Sequence, residues 1–512
     1  MRAKLVLFSK LLLSFSHKQP YLKAIIIGSG IAGISAAIRL ASAGFQVEVF
    51  ESNSYPGGKL TAFYQNGFRF DAGPSLFTLP ELVDELFILA GKNPRNFFRY
   101  EKVDVTCNYF YEDGTNIRAF ADKNKLKEEI DSKLGGYGSE TLQYLQESAR
   151  IYELTSGIFL KKSLHRYRNY LSAEVISALV KAHTLHLRTT MNQVNEKYLK
   201  NGKLVQLFNR YATYNGSSPY QAPGILTLIP HLEFNIGTFF PEGGMHQITL
   251  SLVELAESLG VTFYYEQRVD SINTDHSKAD GIHSGGKLIP ADIVVSNMDI
   301  VHTYRKLLPG IRAPRQVIGQ ERSSSALIFY WNIRKNLPRL YLHNIFFTND
   351  YEAEFESIFS RFELYHDPTV YVHISSKQNP EDAPEGMENW FVMINVPSNI
   401  GQDWDLYIRT ARDLIIGKIS RMLGEDISPW IIGESLLEPR TIESRTSSYQ
   451  GSLYGASSNH WLSAFIRHPN FHSRLKGLYF CGGSVHPGGG IPLSILSGKI
   501  VSDLVKNDYG IK

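Results

Sequence analysis

Ala24–Ile27 is a short, unbroken apolar run, as a strand buried on both faces requires. Ile34–Ala43 then spaces its apolar residues as a helix does and stops at Gly44, a C-terminal cap. Val47–Phe50 reads as a second buried strand, ending at Glu51. The alternation returns downstream, with a helix predicted over Met245–Leu259 and strands over Val261–Tyr265 and Ala291–Ser296, the last ending near Asn297. Near the C-terminus, Gly477–Cys481 predicts a strand and Leu493–Val505 a helix, with Pro492 suited to its first turn. Strands alternating with helices of this length predict an α/β fold with a parallel sheet. The polar stretch 376–389 reads as a Pro-containing loop, and the chain carries no internal repeat or low-complexity segment.

The residues between the first strand and helix are chemical as well as structural. Gly28-Ser29-Gly30-Ile31-Ala32-Gly33 follows the strand at once. Gly28 permits the tight turn, Gly30 lets a pyrophosphate approach the backbone, and Gly33 lets the helix pack on the strand. The helix N-terminus presents free N–H groups and a positive dipole end to phosphates. Glu51 lies 18 residues beyond Gly33, close to the ~20 expected of an acid that binds a ribose hydroxyl pair. Its charge disfavours a 2′-phosphate. Pro56-Gly57-Gly58-Lys59 and Phe70-Asp71-Ala72-Gly73-Pro74 follow, loops that a simple nicotinamide dehydrogenase does not need. A second glycine pair with a cation suits a second approach to a diphosphate or a flavin ribityl chain. At the other end of the chain, Gly482–Pro492 forms another glycine loop before a helix, placed to stabilise negative charge on a reduced flavin.

Length and composition bound the rest. A chain of 512 residues suggests roughly three domains by length alone and is ample for a large core. A net charge of +3 argues against nucleic acid as a partner. Cys107 and Cys481 are too few for a disulfide framework or an all-cysteine metal site, which suggests a reducing, cytoplasmic compartment and no metal. Residues 24–38 are uncharged but number only 15, too few to span a bilayer. Residues 1–22 read as an N-terminal extension. Lys10 interrupts their apolar run and no small-residue cleavage site precedes Lys23, which argues against a signal peptide; a short membrane-surface helix is the alternative.

The chain resembles the FAD-dependent carotenoid desaturases, the bacterial-type phytoene desaturases and their relatives. The resemblance rests on several segments in family order: residues 24–59, GFRFDAGPSLFT, RYATYNGSSPYQAP at 210–223, FFPEGGM at 239–245, ADIVVSNMD at 291–299, SSSALIFYW at 323–331, LHNIFF at 342–347, and GLYFCGGSVHPGGGIPLSILSGK at 477–499. Residues from about 80 to 205 match poorly, and 1–22 not at all. The resemblance implies a Rossmann-like FAD-binding domain (23–75, 236–300, 440–512) with a discontinuous α+β substrate-binding, membrane-facing domain (76–235, 301–439). It implies that Gly28, Gly30, Ile31, Ala32 and Gly33 cradle the pyrophosphate and that Glu51 binds the adenosine ribose. Gly57, Gly58 and Lys59 would border the diphosphate and ribityl chain, with Lys59 where many relatives carry Arg. Val269 would contact adenine through its backbone, and Gly483, Ser484, Ile491 and Pro492 would lie along the ribityl chain and ring.

The chemistry so implied is desaturation, in which hydride passes from a substrate carbon to flavin and the adjacent carbon loses a proton. SSSALIFYW and GGSVHPGGGIPL look most like the subgroup acting at the 3,4 bond of hydroxylated acyclic carotenoids. Phytoene or a C30 analogue is the alternative substrate, and carotenoid isomerase, retinoid saturase and oxygenase relatives are more distant readings. An amine oxidase would leave the carotenoid-type segments unexplained. A non-enzymatic carrier of prenylated proteins would have no use for both flavin motifs. No catalytic base stands out. His486 reads as loop packing more than catalysis, His231 and Glu233 as a polar pair on a strand edge, Asp71 as a turn cap, and Phe329, Tyr330 and Trp331 as core. Residues 161–200 carry eight Lys/Arg against Glu174 and Glu196, net +6. This is a solvated helical face or a surface for anionic lipid, where an apolar carotenoid would be dissolved.

Overall fold

The computed structural model describes residues 22–159, 165–166, 181, 184–460 and 467–511. Residues 1–21 of the N-terminal extension and half of the basic stretch 161–200 lie outside the described residues.

Five parallel strands form the first sheet, in the order Leu478–Phe480, Ile293–Ser296, Lys23–Ile27, Gln46–Phe50, Thr262–Tyr264. Both faces are covered, which is why its strands read as unbroken apolar runs. Ala24 and Ile26 pack among the helices Ile31–Ser42, Gln247–Ser258 and Ile491–Tyr509. Ile25 and Ile27 point the other way, onto a three-stranded antiparallel sheet that includes Val269–Asp275. The first helix starts at Ile31, three residues earlier than its apolar spacing predicts, because the glycine turn supplies its N-cap and first turn. The last starts at Ile491 for the same reason and runs to Tyr509, where Gly510 caps it in the left-handed conformation.

The second sheet has seven strands, in the order Ile431–Leu437, Ser325–Ile333, Glu388–Val396, Val370–His373, His343–Phe346, Val105–Phe110, Asn116–Phe120. Side chains alternate across it, as the period of two demands. Leu327, Phe329 and Trp331 pack on the helix Trp404–Leu423, whereas Ile328 and Tyr330 face the hairpin Ala62–Asp71 and the interior. Phe329, Tyr330 and Trp331 are thus core residues; the Tyr330 hydroxyl donates to the Ala72 carbonyl at 2.6 Å. The loop predicted over 376–389 contains a short turn at Pro380–Asp382 and gives its last two residues to the strand starting at Glu388. Asp382 within it is buried against Arg69 at 3.3 Å. Asp71 accepts from the N–H groups of Met245 (2.9 Å) and His246 (3.1 Å), and so caps the turn before the helix Gln247–Ser258. Among the described residues no helix is long and apolar enough to cross a membrane, and no group of three His, Cys, Asp or Glu is placed to hold a metal.

Candidate functional site

The carboxyl ends of the parallel strands open on a cavity of about 1110 Å³ that continues over the inner face of the second sheet. Gly28, Gly30, Ile31, Ala32, Glu51, Gly57, Gly58, Lys59, Val269, Gly483, Ser484, Ile491 and Pro492 all line it. Gly33 does not. It sits behind, where a Cβ would come within 2.3 Å of the Gly28 carbonyl oxygen, so its hydrogen is what lets helix and strand close together.

At this end the wall is mainly backbone. Gly30 and Gly490 are the N-caps of the two helices that point in, and neither helix has a side-chain cap. Each therefore leaves its first N–H groups without an internal acceptor and adds a positive dipole end. The two glycine loops touch: Gly57 N–H donates to the Ser29 carbonyl at 2.8 Å. Gly57 has φ +99° and a Cβ there would meet the Leu60 carbonyl oxygen at 2.3 Å, so only glycine fits. Glu51 is buried. One carboxylate oxygen accepts from the Ser29 N–H and hydroxyl at 2.8 Å each, the other from the Asn53 N–H and side-chain amide at 2.9 Å each. Two of these donors are side chains that can rotate away for a diol.

Three residues hold this end in shape, of which Arg467 lies outside every segment of the resemblance. Asn297 directly follows a parallel strand and donates to the Gly28 carbonyl at 3.3 Å. Arg467 is buried and donates to the carbonyls of Tyr454 (2.8 Å), Gly483 (3.0 Å) and Ala456 (2.9 Å), joining two loops. Burial, with Arg322 nearby, lowers its pKa to about 10. A lone Arg in a segment without pattern gives no sequence signal for such a role. Lys59, by contrast, stands in the second glycine loop. It donates to the carbonyls of Leu453 (2.8 Å) and Ser452 (3.3 Å), and burial lowers its pKa to about 8 against the opposing pull of Asp299. Its remaining accessible surface faces the cavity.

The other end of the cavity is built from side chains. Leu437, Ile328, Met393, Tyr371 and Ile345 are successive register partners on five strands and form one row along the wall. At ~4.8 Å per strand the row is about 19 Å long. Its next partner is Tyr109. The Ser75 hydroxyl, on the loop after Gly73, lies 2.8 Å from that of Tyr371, which lies 2.7 Å from His343 Nδ1. Burial, then His373 and Arg210, hold His343 well below the ordinary histidine pKa, so the ring is neutral.

Glu233 also lines the cavity, 1% exposed, but on a π-helical turn, His231–Ile236, rather than on the expected strand edge. Its apolar flanks suit either element, and no local pattern marks so wide a turn. His231 does not line the cavity; its Nδ1 lies 3.0 Å from the Asn235 amide. Glu233 pairs with Arg210 at 3.2 Å. His486 is buried and outside the cavity wall, its carbonyl accepting from Asn470 and Ser497.

Residues 31–324 match the model of the family described as flavin containing amine oxidoreductase. The chain is 52% identical, over 95% of its length and 99% of the relative's, to a 1-hydroxycarotenoid 3,4-desaturase from Flavobacterium sp.. It is 34% identical to a phytoene desaturase from Fusarium fujikuroi, over 95% of this chain and 90% of that one. It is 32% identical to a 4,4'-diapolycopene oxygenase from Methylomonas sp, over 95% and 98%. Among solved structures, an oxidoreductase from Methanosarcina mazei superposes with a TM-score of 0.62 at 15% identity, covering 95% of this chain and 100% of that one. A putrescine oxidase bound to putrescine also gives 0.62, at 13% identity over 95% and 100%. At those identities the likeness is one of fold.

Proposed function

Because the chain belongs to the flavin-containing amine oxidoreductases, and within them to the carotenoid desaturases, we propose that it catalyses the FAD-dependent 3,4-desaturation of a 1-hydroxycarotenoid. The observation that carries this reading is a single cavity joining two uncapped helix N-termini to an apolar row on a sheet. The first half suits a diphosphate; the second suits a long hydrocarbon. The 3,4 bond is preferred because the relative acting there is 52% identical, against 34% for the phytoene desaturase.

Gly28, Gly30, Ile31 and Ala32 would hold the pyrophosphate, with Gly33 closing the turn behind them. Glu51 would bind the adenosine ribose after releasing Ser29 or Asn53 side chains. Val269 would meet adenine through its backbone. Gly57, Gly58 and Lys59 would border the diphosphate and ribityl chain, and Gly483, Ser484, Ile491 and Pro492 the ribityl chain and ring. Bound FAD supplies the hydride acceptor, so that a substrate carbon loses hydride, its neighbour loses a proton, and a C=C bond forms between them. The chain's own contribution is to hold the polyene on the apolar row, exclude water and present one bond. The helix terminus at Ile491 favours added negative charge at the ring end of the site.

This reading divides the chain into a flavin part (23–75, 236–300, 440–512) and a substrate part (76–235, 301–439). It also makes the protein a peripheral membrane enzyme, since its substrate partitions into lipid. Flotation with anionic and neutral vesicles tests that point; failure to float with either overturns it. The activity test mixes FAD-loaded protein with liposomes carrying a 1-hydroxylated acyclic carotenoid. A red-shifted product two hydrogens lighter is expected. Flavin-loaded protein that leaves this substrate unchanged but converts phytoene would overturn the substrate assignment.

A further inference from the structure

Arg210 and Glu233 are 9% and 1% exposed, and both line the cavity that the apolar row also lines. A buried ion pair is a poor source of stability, because taking two charges out of water costs about as much as their attraction returns. Here the pair is wrapped in tyrosines. Arg210 Nη2 donates to the hydroxyls of Tyr109 (2.8 Å) and Tyr211 (3.1 Å) as well as to Glu233. The Tyr211 and Tyr214 hydroxyls donate to the two oxygens of Glu233. Burial opposes the guanidinium charge, but the tyrosines and Glu233 outweigh it and hold the Arg210 pKa above its ordinary value.

Arg210 nevertheless has donors to spare. Its Nε has no hydrogen-bond partner among the described residues, and Nη1 makes one long contact, 3.4 Å to the Tyr214 hydroxyl. A cation and a carboxylate side by side, with spare donor capacity, suit a neutral group that both accepts and donates: a hydroxyl.

Position agrees with chemistry. Tyr109 is the register partner of Ile345, so the cluster stands at the end of the apolar row. The loop after Asp71, whose Gly73 packs on the Lys59 carbonyl, meets that row at Tyr371 through Ser75, two strands or about 10 Å from Tyr109. Arg210 and Tyr214 share the 3₁₀ turn Arg210–Asn215, and the following Gly216 abuts Tyr454, the residue after the Lys59 acceptor Leu453. Tyr214 is two residues from Gly216, about 4 Å of 3₁₀ rise. Tyr454 in turn packs against Gly489 of the C-terminal glycine loop, so the cluster stands close to that loop as well as at the end of the row, as a hydroxyl two carbons from the reacting bond requires.

We infer that the Arg210–Glu233–Tyr214 cluster is the specificity-determining site for the 1-hydroxyl of the carotenoid, setting how far the chain end enters and which bond is presented. The inference rests on the function proposed above. A chain end without the hydroxyl would leave the cluster desolvated and without its partner, a strong basis for rejection.

The test compares kcat/KM for a 1-hydroxylated acyclic carotenoid and its 1-deoxy counterpart in liposomes, for FAD-loaded wild type, Arg210→Gln and Tyr214→Phe. Wild type should prefer the hydroxylated substrate. In Arg210→Gln the preference should fall about ten- to hundredfold, through loss on the hydroxylated substrate alone, with a smaller fall in Tyr214→Phe. Equal losses on both substrates, or an unchanged ratio, would make the cluster a structural tie and overturn the inference. Should Arg210→Gln fail to fold, Tyr214→Phe, which keeps the ion pair, decides by the same ratio. A wild type that converts neither substrate defeats the proposed function; one that converts both equally defeats only the assignment of the cluster.

Discussion

At the end of the cavity around Gly30 and Ile491, the chain presents backbone: N–H groups of two uncapped helices and glycine loops in contact. At the end around Tyr371 and Arg210 it presents side chains, brought from strands and turns hundreds of residues apart in sequence. The first surface depends on what is missing, namely Cβ atoms and caps. The second depends on which side chains are there. A change that adds bulk to the first end should therefore abolish cofactor binding, whereas a change at the second should alter substrate handling and leave the cofactor in place.

The largest effect is expected from Gly30→Val. A Cβ there would lie 2.7 Å from Asn297 Nδ2, and the branched side chain would stand where the phosphates approach. FAD affinity should fall about hundredfold or more, the loss of two or so charge-assisted hydrogen bonds. The flavin content of purified protein and reconstitution titrations measure it. Normal flavin content would mean the diphosphate lies elsewhere.

The same contrast explains what the sequence reveals. The glycine end is written in consecutive residues, so Gly28 to Gly33, Glu51, Gly57-Gly58 and Gly482 to Pro492 are legible as a site from the order of residues alone, and the five strands and helices around them nearly so. Tyr371 and Met393 share a wall only because their strands pair in a particular register, and no local pattern states a register. Arg210 lies inside a segment with family likeness, yet its partner Glu233 is 23 positions on, across two irregular turns. Asn297 and Arg467 act through backbone carbonyls, which any sequence offers everywhere.

A milder change at the glycine end is Glu51→Gln. It keeps the shape and one acceptor but removes the charge that Ser29 and Asn53 now share. FAD affinity should fall about tenfold, as expected for a hydrogen bond to a charged group, without loss of kcat at saturating FAD. An equal fall in kcat would move Glu51 closer to the chemistry than the cavity geometry places it.

Met393→Trp is the counterpart at the sheet end. Met393 stands in the middle of the apolar row, between Ile328 and Tyr371. The larger ring narrows the cavity, and kcat/KM for the carotenoid should fall about tenfold, in line with the roughly 1–3 kcal/mol typical of overpacking. Flavin content should not change. Loss of flavin alongside activity would show that the two ends are not independent, and would break the comparison at its centre.

The change with the smallest effect on function sharpens it from a cation that the glycine end buries, Lys59. Burial lowers the Lys59 pKa from 10.5 to about 8, with Asp299 opposing. A native pKa below the unfolded value means that, between the two, the unfolded chain binds a proton the native protein lacks. Stability from Lys59 therefore rises with pH across that window and is flat below it, where both states are protonated and the buried charge carries its full penalty. Lys59→Met removes this dependence. Urea unfolding of the FAD-free proteins should show wild type gaining on the variant from about pH 8 to about pH 10. Because each state of other groups is common to both proteins, only their difference is read. A difference that stays constant over that range would mean the Lys59 ammonium is solvated as on an open surface, and that the glycine end holds more water than its closed loops imply.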